Sequence, residues 1–182
     1  MRWVTRRNAH IDRTACPWLI RRFIDPAAEF VFVPADTDPV GVDGTPFDMR
    51  GAELGHAQGQ CTFETFLRVY HLTQDPALVE MGRILREADV PHSRTRRREA
   101  AGIDALIVGF QLTTPDDQAK LQLTAPLYDA LYAYCSRKIE QQPARDGRLR
   151  PRLRYRERVD AHLAEDTPPG TPTPASQDLL QR

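Results

Sequence analysis

Residues 3–33 read WVTRRNAHIDRTACPWLIRRFIDPAAEFVFV, and this stretch decides the fold. In its middle, Leu19, Ile20, Phe23 and Ile24 recur at helical spacing and form an apolar face. Pro17 suits a first helical turn, where its missing N–H costs nothing, so Thr14 or Cys16 is the expected cap. Asp25-Pro26 is the expected stop, because proline drives the preceding residue out of the helical conformation. Residues 3–5 before the helix are strand-like. Residues 29–33, EFVFV, are rich in β-branched and aromatic side chains and read as a buried strand. Strand, helix, strand in that order predicts a small βαβ unit with a right-handed crossover.

Beyond it the pattern changes. Residues 34–59 are dominated by turn formers, with Phe47-Asp48 as a candidate third strand. So long an irregular stretch inside a compact domain is uncommon and often functional. The second half is helical. Phe63, Phe66, Leu67 and Tyr70 share one face of a helix over 62–70. Asp75-Pro76 is a cap followed by a first-turn proline, with Leu78, Met81, Leu85 and Ala88 turned inward. Ile103, Leu106, Ile107 and Phe110 mark a helix over 99–112. A last helix, capped by Thr114 with Asp116 and Asp117 in its first turn, runs to about residue 139. The expected class is α+β: a mostly helical single domain over residues 1–142 with a small amino-terminal sheet. Residues 143–182, first arginine-rich and then Pro/Thr-rich (TPPGTPTP), read as a flexible tail.

Lys plus Arg number 25, as do Asp plus Glu, so the formal net charge is zero. That argues against a nucleic-acid binder working through bulk charge. The basic clusters at 94–98 and 145–158 lack interleaved aromatics and are weak evidence for specific readout. The three cysteines, Cys16, Cys61 and Cys135, form no CxxC and no paired framework. The charged amino terminus is unlike a signal peptide and no run reaches membrane-spanning length, so a cytoplasmic location is expected.

The best ligand candidates lie in residues 47–64, FDMRGAELGHAQGQCTFE. His56 sits in a glycine-rich loop eight residues before Glu64, which falls in the first turn of a helix. A loop imidazole and a helix-borne carboxylate can meet at one metal ion, and mixed nitrogen and oxygen ligands suit Fe, Mn or Zn. Asp89 or Glu99 would close the site. The bland alternative is that Glu64 only complements its helix dipole. Arg13, Arg21 and Arg22 have the guanidinium geometry to bind an oxyanion, although Arg21 and Arg22 are adjacent and cannot face one way. Asp129, between apolar neighbours, needs a partner, and Arg13 or a metal would serve. Cys16 and Cys61 near helix starts are either reactive thiols or small buried hydrophobes.

Taken in order, the blocks DRTACPWLIRRFIDPAAEFVFVP, FD, the histidine loop, CTFE, ILREADV, EAAGIDALIVGF, DD and LYDALYAYC resemble the chromate-resistance protein family, specifically the carboxy-terminal domain of ChrB-type proteins. The resemblance runs from about Trp3 to Ser136. It implies association with resistance to chromate and, in some members, to superoxide. Longer members carry an amino-terminal regulatory region; none is expected here, so no DNA-binding role is carried over. Many relatives have a histidine where this chain has Arg86, in a His-x-x-Asp pattern ending at Asp89.

The leading expectation is a chromate/superoxide resistance protein that binds a transition metal, Fe or Mn rather than Zn, through His56, Glu64 and Asp89. Asp12 and Arg13 are the expected catalytic residues, the first orienting a ligand and the second attracting a small anion, superoxide or chromate. As an enzyme it would be a metal-dependent oxidoreductase acting on superoxide. Two alternatives stand beside it: a non-enzymatic sensor binding the oxyanion through arginines, and thiol-based chromate reduction by Cys16 and Cys61. No membrane partner is expected, nor nucleic acid without an added DNA-binding domain; homo-oligomerisation is open.

Overall fold

The strand-helix-strand start is present in the computed structural model, which describes residues 1–89 and 97–141. β1 (Arg2–Arg6), α1 (Ile11–Phe23) and β2 (Glu29–Val33) form the unit, and β1 and β2 run parallel with Trp3 opposite Phe30. A two-residue strand, β3 (Thr45–Pro46), joins the other side of β1, also parallel, giving the order β2-β1-β3. The third strand thus lies just before Phe47-Asp48. Phe47 still donates its amide to Val4 O at 2.9 Å. Gly44, at φ +136°, leads into β3 so close to β1 that a Cβ there would sit 2.8 Å from Arg2 O. Only glycine accommodates both demands.

β2 is less buried than expected. Phe30 alone is fully enclosed, because β2 is an edge strand. Gln118 Nε2 donates to Phe30 O at 2.5 Å and Arg7 Nε to Phe32 O at 3.4 Å. Side chains thus cover backbone acceptors that would otherwise invite another strand.

α1 begins at Ile11, earlier than the sequence suggests, with His10 as its N-cap residue. Pro17 therefore lies inside the helix, where proline costs about 3 kcal/mol through the lost bond to Arg13 O. Burial outweighs that penalty: Ile11, Ala15, Cys16, Leu19 and Ile20 are all fully enclosed. In helices of this length tertiary packing, not local propensity, decides. The helix ends at Phe23, just before Asp25-Pro26.

The remaining helices are α2 (Thr62–Val69), α3 (Pro76–Asp89), α4 (Arg98–Thr113) and α5 (Asp117–Glu140), with a 3-10 turn at Leu72–Gln74. Asp75 caps α3 as expected, accepting from Ala77 N at 2.8 Å, and its other oxygen takes the Tyr132 hydroxyl at 2.5 Å. For α5 the cap is Asp116, which accepts from Ala119 N at 2.9 Å, not Thr114. Asp117 is no surface charge. It is buried, pairs with buried Lys120 at 2.8 Å, and accepts the amides of Asn8 and Ala9. The start of α5 thereby pins the β1–α1 turn. On α4, Ile103 and Ile107 are buried, whereas Leu106 is 51% exposed. Two aromatic groups fill the core. Trp3, Phe47 and Phe66 lie under the sheet, and Trp18, Phe23, Tyr128 and Tyr132 lie between α1 and α5.

Among the described residues no helix is long and apolar enough to cross a membrane. The expected tail over 143–182 and most of the cluster at 94–98 lie outside the described residues. Arg97 is described, and it pairs with Glu80 on α3 and with Glu87 at 3.1 Å.

Candidate metal centre

Four segments of the chain bring three carboxylates and His56 together. Asp12 comes from the first turn of α1, Asp48 from the turn after β3, His56 from the glycine-rich loop and Asp89 from the last turn of α3. His56 Nε2 lies 3.1 Å from Asp12 Oδ2, 3.2 Å from Asp89 Oδ2 and 3.5 Å from Asp48 Oδ1. One ligand atom each from Asp12, His56 and Asp89 falls within 4.8 Å of the others, a grouping able to hold an ion.

Each carboxylate is held in place. Asp12 Oδ2 accepts the Thr62 amide at 2.6 Å and Oδ1 the Phe63 amide at 3.3 Å. These are orphan N–H groups at the start of α2, a natural seat for an anion. Asp48 has φ +48°, a left-handed conformation that aspartate tolerates better than most residues. Its Oδ1 accepts from Thr62 Oγ1 at 2.7 Å and its Oδ2 from Arg13 Nη1 at 2.7 Å. Asp89 is within reach of His10, whose Nδ1 stands 3.7 Å from Oδ1. α3 can approach α2 because of Gly82, where a Cβ would lie 3.1 Å from Glu64 Cγ.

Protonation follows from this geometry. Hydrogen bonds to Asp12, Asp48 and Asp89 push His56 up to about 12. Burial raises the Asp12 carboxyl; the His56 hydrogen bond opposes this, while the Asp89 and Asp48 charges add to it. Asp48 and Asp89 sit below the ordinary carboxylate range: burial works against this, but His56 with Thr62 for Asp48, and His10 with His56 for Asp89, outweigh it. Three acidic groups this close demand a cation between them. A protonated imidazole or a metal ion meets that demand.

Of the residues singled out in sequence, His56, Asp89 and Asp12 are brought together. Arg13 stands behind Asp48. Glu64 lies outside the group: it accepts the Cys61 amide at 3.2 Å in a capping box and meets Arg86 at 3.2 Å. Arg86, the departure from the relatives' pattern, therefore faces Glu64. Glu99 lies apart too, accepting from the Tyr134 hydroxyl at 2.8 Å. Asp48 and His10 were not singled out. No spacing rule marks either, although Asp48 belongs to the FD block.

The other arginines and the thiols are engaged elsewhere. Arg22 grips Asp129 with Nε at 3.1 Å and Nη2 at 2.8 Å, and Trp18 Nε1 donates to the same carboxylate at 2.6 Å. Asp129 thus has Arg22 and Trp18 as partners. Arg21 stacks 4.8 Å from the centre of the Phe30 ring. All three cysteines are buried and free of disulfides, and burial raises each thiol, which works against the thiolate that a reactive cysteine needs. Beside His56 a cleft of about 300 Å³ is lined by Arg6, Asp48, Met49, Arg50, Gly55 and His56.

Comparison with known proteins places the chain. The family model described as ChrB, C-terminal domain, matches residues 3–135. A curated relative, Protein ChrB of Cupriavidus metallidurans, is 36% identical over 134 residues, which cover 74% of this chain and 40% of that protein. The chain thus spans about two fifths of the length of that relative. No solved structure matches it. The family match covers all four segments that meet at His56, and the chain belongs to the ChrB C-terminal-domain family.

Proposed function

We propose that this domain binds one transition-metal ion through Asp12, His56 and Asp89, with Asp48 beside them, and serves chromate and superoxide resistance as a redox-active detoxifying module. The observation that carries the reading is the convergence of three ligand atoms within 4.8 Å from three separate elements. The donor set fits: carboxylate oxygens with one imidazole nitrogen suit Fe or Mn, and no thiolate is present to favour a softer ion. Such an ion, when bound, supplies one-electron exchange with a small anion such as superoxide.

The chain's own groups do the rest. The α2 amides fix Asp12, Thr62 fixes Asp48, and His10 stands against Asp89. Arg13 and Arg6 stand on the far side of Asp48, with Arg6 Nη2 3.7 Å from its Oδ2, and they raise the local positive potential for an approaching anion. His56 is half-exposed, so the anion has a way in from solvent.

Titration of ion-free protein with Mn²⁺ or anaerobic Fe²⁺ tests the reading. One ion per chain should bind, His56→Ala should abolish binding, and superoxide consumption should follow metal content. A protein that takes up neither ion contradicts the proposal.

One observation favours a second reading, an oxyanion sensor. The cleft beside His56 has Arg50 on its wall, with no carboxylate partner among the described residues. Chromate and sulfate share charge and shape, so calorimetry should then show both binding, and Arg50→Ala should weaken both. Absence of binding by either anion removes this reading.

A further inference from the structure

The described residues contain one imidazole that the proposed centre does not use but touches. His10 is the N-cap residue of α1, yet its side chain makes no capping hydrogen bond. Its backbone carbonyl does the local work, accepting Thr14 N at 3.0 Å and Thr14 Oγ1 at 2.9 Å. The ring is free to be used elsewhere, and it lies between two carboxylates on different helices. Nδ1 is 3.7 Å from Asp89 Oδ1 at the end of α3, and Nε2 is 3.3 Å from Asp104 Oδ1 in α4. Asp89 turns its other oxygen, Oδ2, to His56.

We infer that His10 is a positioning residue for the metal centre. It holds the outer oxygen of Asp89, so that the inner oxygen faces the ion, and Asp104 fixes the His10 ring in turn. The inference rests on the proposed metal reading and deepens it. The physical case is that a ligating carboxylate with one free oxygen can rotate or bind through both oxygens. A donor on the outer oxygen selects one orientation, and outer partners of this kind typically change metal affinity about 10–100-fold. Asp104 belongs to α4, which supplies no ligand, so this chain of contacts couples a fifth element to the centre.

The test is Mn²⁺ titration of the purified chain, followed by electron paramagnetic resonance of the bound ion, for the wild type, His10→Ala, His10→Gln and Asp104→Asn. His10→Ala should bind one ion still, about 10–100-fold more weakly, with an altered Mn²⁺ spectrum because Asp89 is reoriented. His10→Gln, which keeps a donor toward Asp89, should recover most of the affinity and the wild-type spectrum. Asp104→Asn, which leaves the α1 start untouched, should shift both readouts in the direction of His10→Ala and by less. Wild-type affinity and spectrum in both His10→Ala and Asp104→Asn overturn the inference while leaving the metal reading intact. A wild type that takes up no Mn²⁺ fails at the earlier step, and both fall.

Discussion

Asp12 shows what a single residue is asked to do in this fold. It is 1% exposed, it closes the amino end of α2 through two amides, and it reaches His56. Removing it leaves two buried N–H groups unsatisfied, so Asp12→Ala should cost about 1–3 kcal/mol of stability, read by urea unfolding, and should also weaken metal uptake. Glu64 makes the opposite case. Its contacts are a helix cap and Arg86, so Glu64→Ala should lose about 1 kcal/mol while metal uptake persists. A Glu64 variant that unfolds no more easily but binds no metal would restore Glu64 to the centre. His56 carries the pH dependence. Its proton is held up to about 12 by three carboxylates, and a metal must displace that proton. Uptake should therefore weaken as pH falls, by about tenfold per unit. Titrations at pH 6 and pH 8 check the sign, and equal affinity at both contradicts it.

The elements matter because they carry these residues to one point. The amino-terminal βαβ unit was legible from the sequence because its apolar residues are local and periodic. The early start of α1 was not, because the burial that overrides Pro17 comes from α5, α2 and α3, which lie later in the chain. His56 and Asp89 stood out as ligand types near element ends. Asp48 did not, because its role depends on a left-handed turn that no local pattern announces, and His10 did not, because its partners Asp89 and Asp104 come from two helices far along the chain. The α5 start hides its role for a similar reason. Asp116 and Asp117 look like exposed first-turn charges, yet Asp117 is the buried clamp on the β1–α1 turn. Burial works to raise its carboxyl, but Lys120 and the amides of Ala9 and Asn8 outweigh this and lower it. A lowered folded-state value gives stability that is present above the ordinary value of 3.8 and lost as pH falls through the lowered one. Asp117→Ala strands Lys120 in the interior and should cost about 3 kcal/mol at neutral pH. Urea unfolding at pH 7 and pH 3 should show the gap between variant and wild type narrowing on acidification.

At the scale of the whole molecule, the centre ties the sheet end, α1, the long irregular loop, α2 and α3 into one unit. A bound ion stabilises only the folded chain, so the midpoint of thermal unfolding should rise with free metal by mass action, the added stability reaching about 2.7 kcal/mol at a hundredfold excess over Kd. The metal centre is tested most directly by the metal content of the protein as purified after expression in metal-replete medium. Elemental analysis should find close to one Fe or Mn per chain, and none in His56→Ala. Wild-type protein free of transition metal, and still free of it after incubation with Fe²⁺ and Mn²⁺, would mean that protonated His56, with Arg13 and Arg6 on Asp48, balances the three aspartates and that no metal centre exists.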